Sequence, residues 1–290
     1  MTMKFLDDPA NHIGSVFPDE HFTVQHRLQD HPLFSVERLL ELATFLPEQQ
    51  IEWNAGNAAI SQDPDKTPLN GLTPAQTVAS IANNNSWLVM KNIESDPAYQ
   101  EVLYDCLSDV EAIAGKRLTG LGDRAGFVFL SSPGSVTPYH MDPEHNFLLQ
   151  LQGTKTMHIF DQRDRGVVSE QEIESTYYGA GKHRNLSFRD ELAAKGEAVI
   201  LHPGDALHVP IHAPHWVQNG DAVSVSFSIT FRSDQSRRNV RLHALNARMR
   251  RLGLTPPDVG QRKSRDAAFD MMFRAALSAK GAAKSMLRSN

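Results

Sequence analysis

The sequence predicts a mainly β protein, a barrel or sandwich of short strands with helices on its flanks. Three observations carry this. From Gly126 to Phe231, short runs rich in β-branched and aromatic residues follow one another, each closed by turn-forming residues. Apolar residues at helical spacing precede that stretch and return after it. At 290 residues and 40% apolar content, the chain can bury a proper core.

Residues 1–31 read as irregular, with one short strand at 21–24. Ser35 is placed to cap a helix carrying Leu39, Leu40, Leu42 and Ala43 as far as Phe45, and Pro47 marks its end. The span 54–71, rich in Asn, Asp, Pro and Gly, is a loop on composition; Thr73-Pro74 then opens a helix with proline in its first turn. Residues 87–90 fit a strand. A helix is expected from about 97 to 114, with Tyr99, Val102, Leu103, Leu107, Val110 and Ile113 on one face. Strands follow at 127–131, 137–141, 146–152, 156–160, 198–201, 206–210 and 223–231. The polar insertion at 161–197 reads as either a lid or a solvated connection. After Asp234, Val240, Leu242, Leu245, Met249 and Leu252 form a helical stripe, Pro256-Pro257 breaks it, and a second helix covers about 266–287. The expected division is a mostly helical segment 1–120 packing on the barrel, the barrel at 121–235 with its insertion, and a basic helical segment 236–290.

Charge is distributed unevenly. The net value is −5, yet residues 232–290 hold 14 Lys/Arg against 4 Asp/Glu. That segment is expected to form a homodimer contact through its apolar stripe or to lean on the acidic remainder, with nucleic-acid binding the lesser alternative. A single cysteine, Cys106, excludes an intramolecular disulfide and a thiolate cluster within one chain, and reads as a small buried hydrophobe. The N-terminus has no charged region followed by an apolar one, and no stretch nears the ~18 apolar residues of a membrane span. A cytoplasmic protein without membrane contact is expected.

Chemistry concentrates at two places. In Thr137-Pro-Tyr-His140-Met-Asp142, an imidazole and a carboxylate stand two residues apart on a strand and therefore share a face. Further along, Pro203-Gly-Asp-Ala-Leu-His208-Val-Pro-Ile-His212-Ala-Pro-His215-Trp offers three imidazoles as a third ligand. Two histidines and a carboxylate on one side of a metal leave the other positions open, as in non-haem Fe(II) oxygenases. Strict alternation in Lys155-Thr-Met157-His-Ile159 turns Lys155 toward the face a barrel buries. Its ammonium then needs an anionic partner, from the protein or from an arriving carboxylate, unless it snorkels outward beside Gly153.

The run from Gly134 through His140, Asp142, Asn146 and Gly153 to Lys155, followed by the Pro-Gly-Asp segment ending at His215, resembles the JmjC-type, cupin-like 2-oxoglutarate oxygenases. The run is similar especially to the asparaginyl hydroxylase of hypoxia-inducible factor. The resemblance implies a double-stranded β-helix, or jelly roll, and Fe(II) held by His140, Asp142 and His215. It implies that Lys155 pairs with the distal carboxylate of 2-oxoglutarate, that Thr137 bonds the same group and that Asn146 lies close by. That relative has an asparagine on the last barrel strand, where this chain offers Ser224, Ser226, Ser228 and Thr230; Ser226 or Ser228 is expected to take its place. Relatives that use an arginine about ten residues after the last ligand are not matched, since Val225 stands there. The implied reaction is hydroxylation of a peptide or protein side chain, or of a small molecule, with release of succinate and CO2. The alternatives are a metal-dependent cupin enzyme that does not use 2-oxoglutarate and a cupin-like transcriptional regulator. In the insertion, Tyr177, Tyr178, His183 and Arg184 are the candidates for lining the substrate site.

Overall fold

The computed structural model describes residues 4–63, 66–177 and 184–288, with side chains described as far as residue 275. The N-terminal part supplies strands β1 (Leu6–Asp7), β2 (Phe22–His26), β3 (Ile51–Ala55) and β4 (Ser86–Lys91). The jelly roll itself is β5 (Gly122–Ser131), β6 (Val136–His140), β7 (His145–Gln152), β8 (Lys155–Ile159), β9 (Glu197–Leu201), β10 (Asp205–Val209), β11 (His215–Asn219) and β12 (Ser224–Arg232). Two antiparallel sheets result, one ordered β1-β2-β10-β7-β12-β5-β4-β3 and the other β6-β11-β8-β9. Strands β5 to β12 therefore divide four and four between facing sheets, which is the expected double-stranded β-helix.

Alternation along β12 explains how the layers separate. Val225, Phe227, Ile229 and Phe231 are buried in a large apolar core, while Ser224, Ser226, Ser228 and Thr230 face the barrel interior. That core lies between the eight-stranded sheet and the helices α2 (Val36–Phe45) and α4 (Pro97–Ala114), which bring Leu39, Leu42, Tyr99, Val102, Leu103 and Leu107. Both helices begin where expected, because Ser35 accepts a hydrogen bond from the Arg38 amide and Asp96 accepts one from Ala98. The Thr73-Pro74 start also forms: Thr73 and Gln76 close a capping box on α3 (Pro74–Ala79). Cys106 is fully buried on α4. No helix of the described residues is long and apolar enough to cross a membrane.

Several features depart from the sequence expectation. Strands β1, β3 and β11 were not anticipated, β3 because Ile51-Glu-Trp-Asn-Ala runs into a loop-like composition, and β11 because His215-Trp-Val-Gln-Asn is largely polar. The N-terminal strands extend both edges of the larger sheet, so this segment continues the sheet besides packing helices on it. The insertion is no solvated connection throughout: Val167, Val168, Ile173 and Leu192 are buried, and a short helix α5 (Glu170–Ser175) starts in a Ser169–Glu172 capping box. The expected stripe of α6 (Asp234–Arg251) is corrected too. Its buried residues are Ser236, Leu242, His243, Asn246 and Ala247, whereas Leu252 is 79% exposed. The last helix, α7, runs Lys263–Arg288.

The β7–β8 hairpin turns on Gly153, whose φ is +68° and where a Cβ would come within 2.3 Å of the Val223 carbonyl oxygen. Gly153→Ala is expected to destabilise the fold by roughly 2–3 kcal/mol, from left-handed strain and a backbone clash. Urea denaturation measures this.

Candidate metal centre

Strand β6 ends at His140, and β11 begins at His215, directly opposite it across the smaller sheet. Asp142 follows two residues beyond the strand end. One ligand atom from each of the three residues lies within 4.8 Å of the others, and no other such group exists among the described residues. The imidazole centroids are 4.2 Å apart, and His215 Nε2 stands 3.9 Å from Asp142 Oδ2. Both rings are pinned alike. His140 Nδ1 lies 2.7 Å from the Pro138 carbonyl oxygen, and His215 Nδ1 lies 2.9 Å from that of Ala213. A carbonyl oxygen only accepts, so Nδ1 is the donor and Nε2 keeps its lone pair for a metal.

Electrostatics favour the same state. Burial pushes the Asp142 carboxyl up, but His140, Arg184 and His215 together outweigh it and hold the group at about 2. Burial pushes the His215 imidazole down to about 4. An ionised carboxylate and two imidazoles with inward lone pairs fit a first-row divalent ion bound on one face. Of the rival histidines, His208 Nδ1 donates to the Glu20 carbonyl at 2.9 Å with its ring packed among Phe17, Phe22 and Phe147. His212 meets the Tyr177 hydroxyl at 2.5 Å.

Lys155 opens β8 and is 5% exposed, so it does not snorkel. It lines a cavity of about 40 Å³ together with Thr137, Asn146 and all three metal-site residues. No charged group among the described residues pairs with it, and burial alone pushes its ammonium down to about 7. Asn146 is buried at the start of β7, where Ser228 Oγ donates to its Oδ1 at 2.7 Å. Ser226 instead donates to Gln150 Oε1 at 2.6 Å.

A second cavity of about 320 Å³ adjoins the centre through His140, Asp142, Asn146 and Ser228. Its walls come partly from β4 and β5, as Trp87, Val89, Phe127 and Phe129. At its rim Lys91 Nζ meets Glu52 Oε2 at 2.6 Å.

A family model described as a cupin-like domain matches residues 62–237. The chain belongs to the cupin-like domain family. Among curated relatives, this cupin-like protein is 30% identical over 102 residues to lysine-specific demethylase 8 of Danio rerio, covering 34% of the chain and 24% of the relative. It is 31% identical over 116 residues to human HSPB1-associated protein 1, covering 38% and 24%. The matches thus span about a quarter of the length of these relatives. Among solved structures, the Escherichia coli protein ycfD aligns over 94% of this chain and 68% of its own, at 15% identity and a TM-score of 0.52. A second crystal structure of that protein, described as a ribosomal oxygenase, gives 0.50 over the same shares. At such identity the likeness is one of fold.

The insertion candidates of the cupin-like chain separate in space. Arg184 lines the larger cavity and bonds Asp142. Tyr177 turns away to His212 and a cluster with Met141, Val168 and Ile173. Tyr178 and His183 lie outside the described residues. The aromatic wall was missed because Trp87, Phe127 and Phe129 look in sequence like any strand residues, and only the pairing of β4 with β5 brings them to one cavity.

Proposed function

We propose that this chain is an Fe(II)- and 2-oxoglutarate-dependent oxygenase that hydroxylates an amino-acid side chain. The observation that carries the reading is Lys155, a buried cation with no counter-ion among the described residues, in the cavity that reaches His140, Asp142 and His215. In this reading His140, Asp142 and His215 hold iron on one face. Lys155 and Thr137 bind the distal carboxylate of 2-oxoglutarate, and Asn146, fixed by Ser228, orients the cosubstrate. Iron and 2-oxoglutarate supply the oxidation, releasing succinate and CO2. The aromatic walls of the larger cavity receive the side chain to be oxidised. A protein substrate is favoured by the names of a relative, a lysine demethylase, and of a structural neighbour, a ribosomal oxygenase.

A homodimer through α7 and a cytoplasmic setting belong to the same proposal; Met271 and Met272 on that helix are 68% and 63% exposed. The regulator alternative draws less support, because basic residues of α6 are engaged at home. Arg237 pairs with Asp123 and Asp234, Arg241 with Asp270, and Arg250 with Glu174.

The test is turnover: iron-loaded protein with 2-oxoglutarate and oxygen should release succinate. Protein loaded with Mn(II) that fails to bind 2-oxoglutarate would leave only a metal cupin of another chemistry. The affinity should also depend on pH. Burial lowers the Lys155 pKa to about 7. A bound carboxylate raises it, so binding takes up a proton above pH 7. Affinity is then complete below about pH 7 and falls by up to about tenfold per pH unit above it, until the pKa of the complex is reached. Calorimetry on Mn(II)-loaded protein between pH 6.5 and 9 reads this; a flat profile would remove Lys155 from the carboxylate.

A further inference from the structure

Asp142 divides its two oxygens between different partners. Oδ2 turns toward the imidazoles, 3.9 Å from His215 Nε2, while Oδ1 accepts from Arg184 Nη1 at 2.7 Å. Arg184 comes from the insertion, and its place is set by the backbone. The Met141 amide donates to the Arg184 carbonyl at 3.2 Å, and the Leu186 amide to that of Tyr139 at 2.9 Å, so residues 184–186 run alongside the end of β6. The far side of the guanidinium is tied as well. Arg184 Nη2 stands 3.3 Å from Glu144 Oε2, and Arg232 at the end of β12 donates to Glu144 Oε1 at 2.8 Å. Four alternating charges thus run from Asp142 to the barrel wall.

A carboxylate beside a divalent ion can bind through one oxygen or two. Which mode it adopts depends on whether a donor occupies the second oxygen, and hydrogen bonds to ligands from behind orient them in this way. We propose that Arg184 is a positioning residue that keeps Asp142 a one-oxygen ligand, and so leaves open a coordination position that the cosubstrate needs. The proposal rests on the metal-centre reading above. It also assigns the insertion a role at the metal, through the guanidinium that Arg184 brings to Asp142. Without the guanidinium, Asp142 would turn its second oxygen onto the ion and compete with the incoming 2-oxo acid.

The test uses Co(II), whose visible absorption reports coordination number, on the full chain. Arg184→Met should bind Co(II) at least as tightly as wild type, show an altered visible spectrum, and bind 2-oxoglutarate about tenfold or more weakly. Arg184→Lys, which keeps the charge but not the planar fork, should recover part of the 2-oxoglutarate affinity. Glu144→Gln, which loosens Arg184 from behind, should shift both readouts in the same direction by less. An unchanged spectrum with unchanged 2-oxoglutarate affinity in Arg184→Met would overturn the proposal. Parallel loss of Co(II) and 2-oxoglutarate would also overturn it, since that is what a merely structural arginine gives. Should Arg184→Met lose its fold by circular dichroism, Arg184→Lys and Glu144→Gln decide by the same two readouts. Wild-type protein that fails to bind Co(II) would instead defeat the metal-centre reading beneath it.

Discussion

Lys155→Met is expected to weaken 2-oxoglutarate binding by about 10²-fold or more while leaving divalent-metal affinity within a few fold. A charge-assisted bond between an ammonium and a carboxylate in a dry pocket is among the strong polar contacts, and a loss of about 3 kcal/mol corresponds to roughly that factor. Methionine fills similar space, so the walls formed by Met157, Leu148 and Val217 stay in place. Stability should move the opposite way. Burial pushes the Lys155 ammonium down to about 7, so without cosubstrate the folded state carries the full penalty of this charge below pH 7. The penalty fades as pH rises toward the ordinary lysine value, because across that window the unfolded chain binds the extra proton. Removing the ammonium should therefore raise the melting temperature of the ligand-free protein at pH 7 or below. A variant that loses stability and cosubstrate binding together would show Lys155 to be a structural residue.

Asp142→Ala should abolish metal binding for practical purposes, with a loss of about 10³-fold or more, roughly 4 kcal/mol. Asp142 is the only anionic member of the triad, and its removal leaves two imidazoles facing Arg184 and Lys155, a positive surrounding for a divalent cation. His215→Ala should lose metal affinity on a similar scale. His208→Ala separates the histidines: its ring packs among phenylalanines and its Nδ1 serves a backbone carbonyl, so metal affinity should be unchanged while stability falls. Titration of Mn(II) into each variant measures this, and metal affinity retained by Asp142→Ala would sink the assignment.

Legibility in the sequence followed the range of the interactions involved. Ser35 and Thr73 announced their helices because a cap is a bond between residues three apart. His140 and Asp142 were readable as a pair because they stand two residues apart, although Asp142 lies past the strand end; Lys155 stayed open between facing inward and snorkelling, and its burial is a tertiary fact. Where local sequence was mixed, reading stopped. β11 carries a metal-site histidine yet is polar enough to pass for loop, and it becomes a strand by pairing with both β6 and β8.

What the sequence by itself determined is a barrel or sandwich of short strands, the helices around it, and an imidazole and a carboxylate two residues apart; the jelly roll and the role of Lys155 came as what the resemblance implies. The tertiary structure set His215, and not His208 or His212, opposite His140 and beside Asp142. It also gave Ser228 to Asn146 and Ser226 to Gln150, and brought Arg184 from the insertion to the back of Asp142. Each of these joins residues tens of positions apart, and no local periodicity carries the register in which distant segments meet.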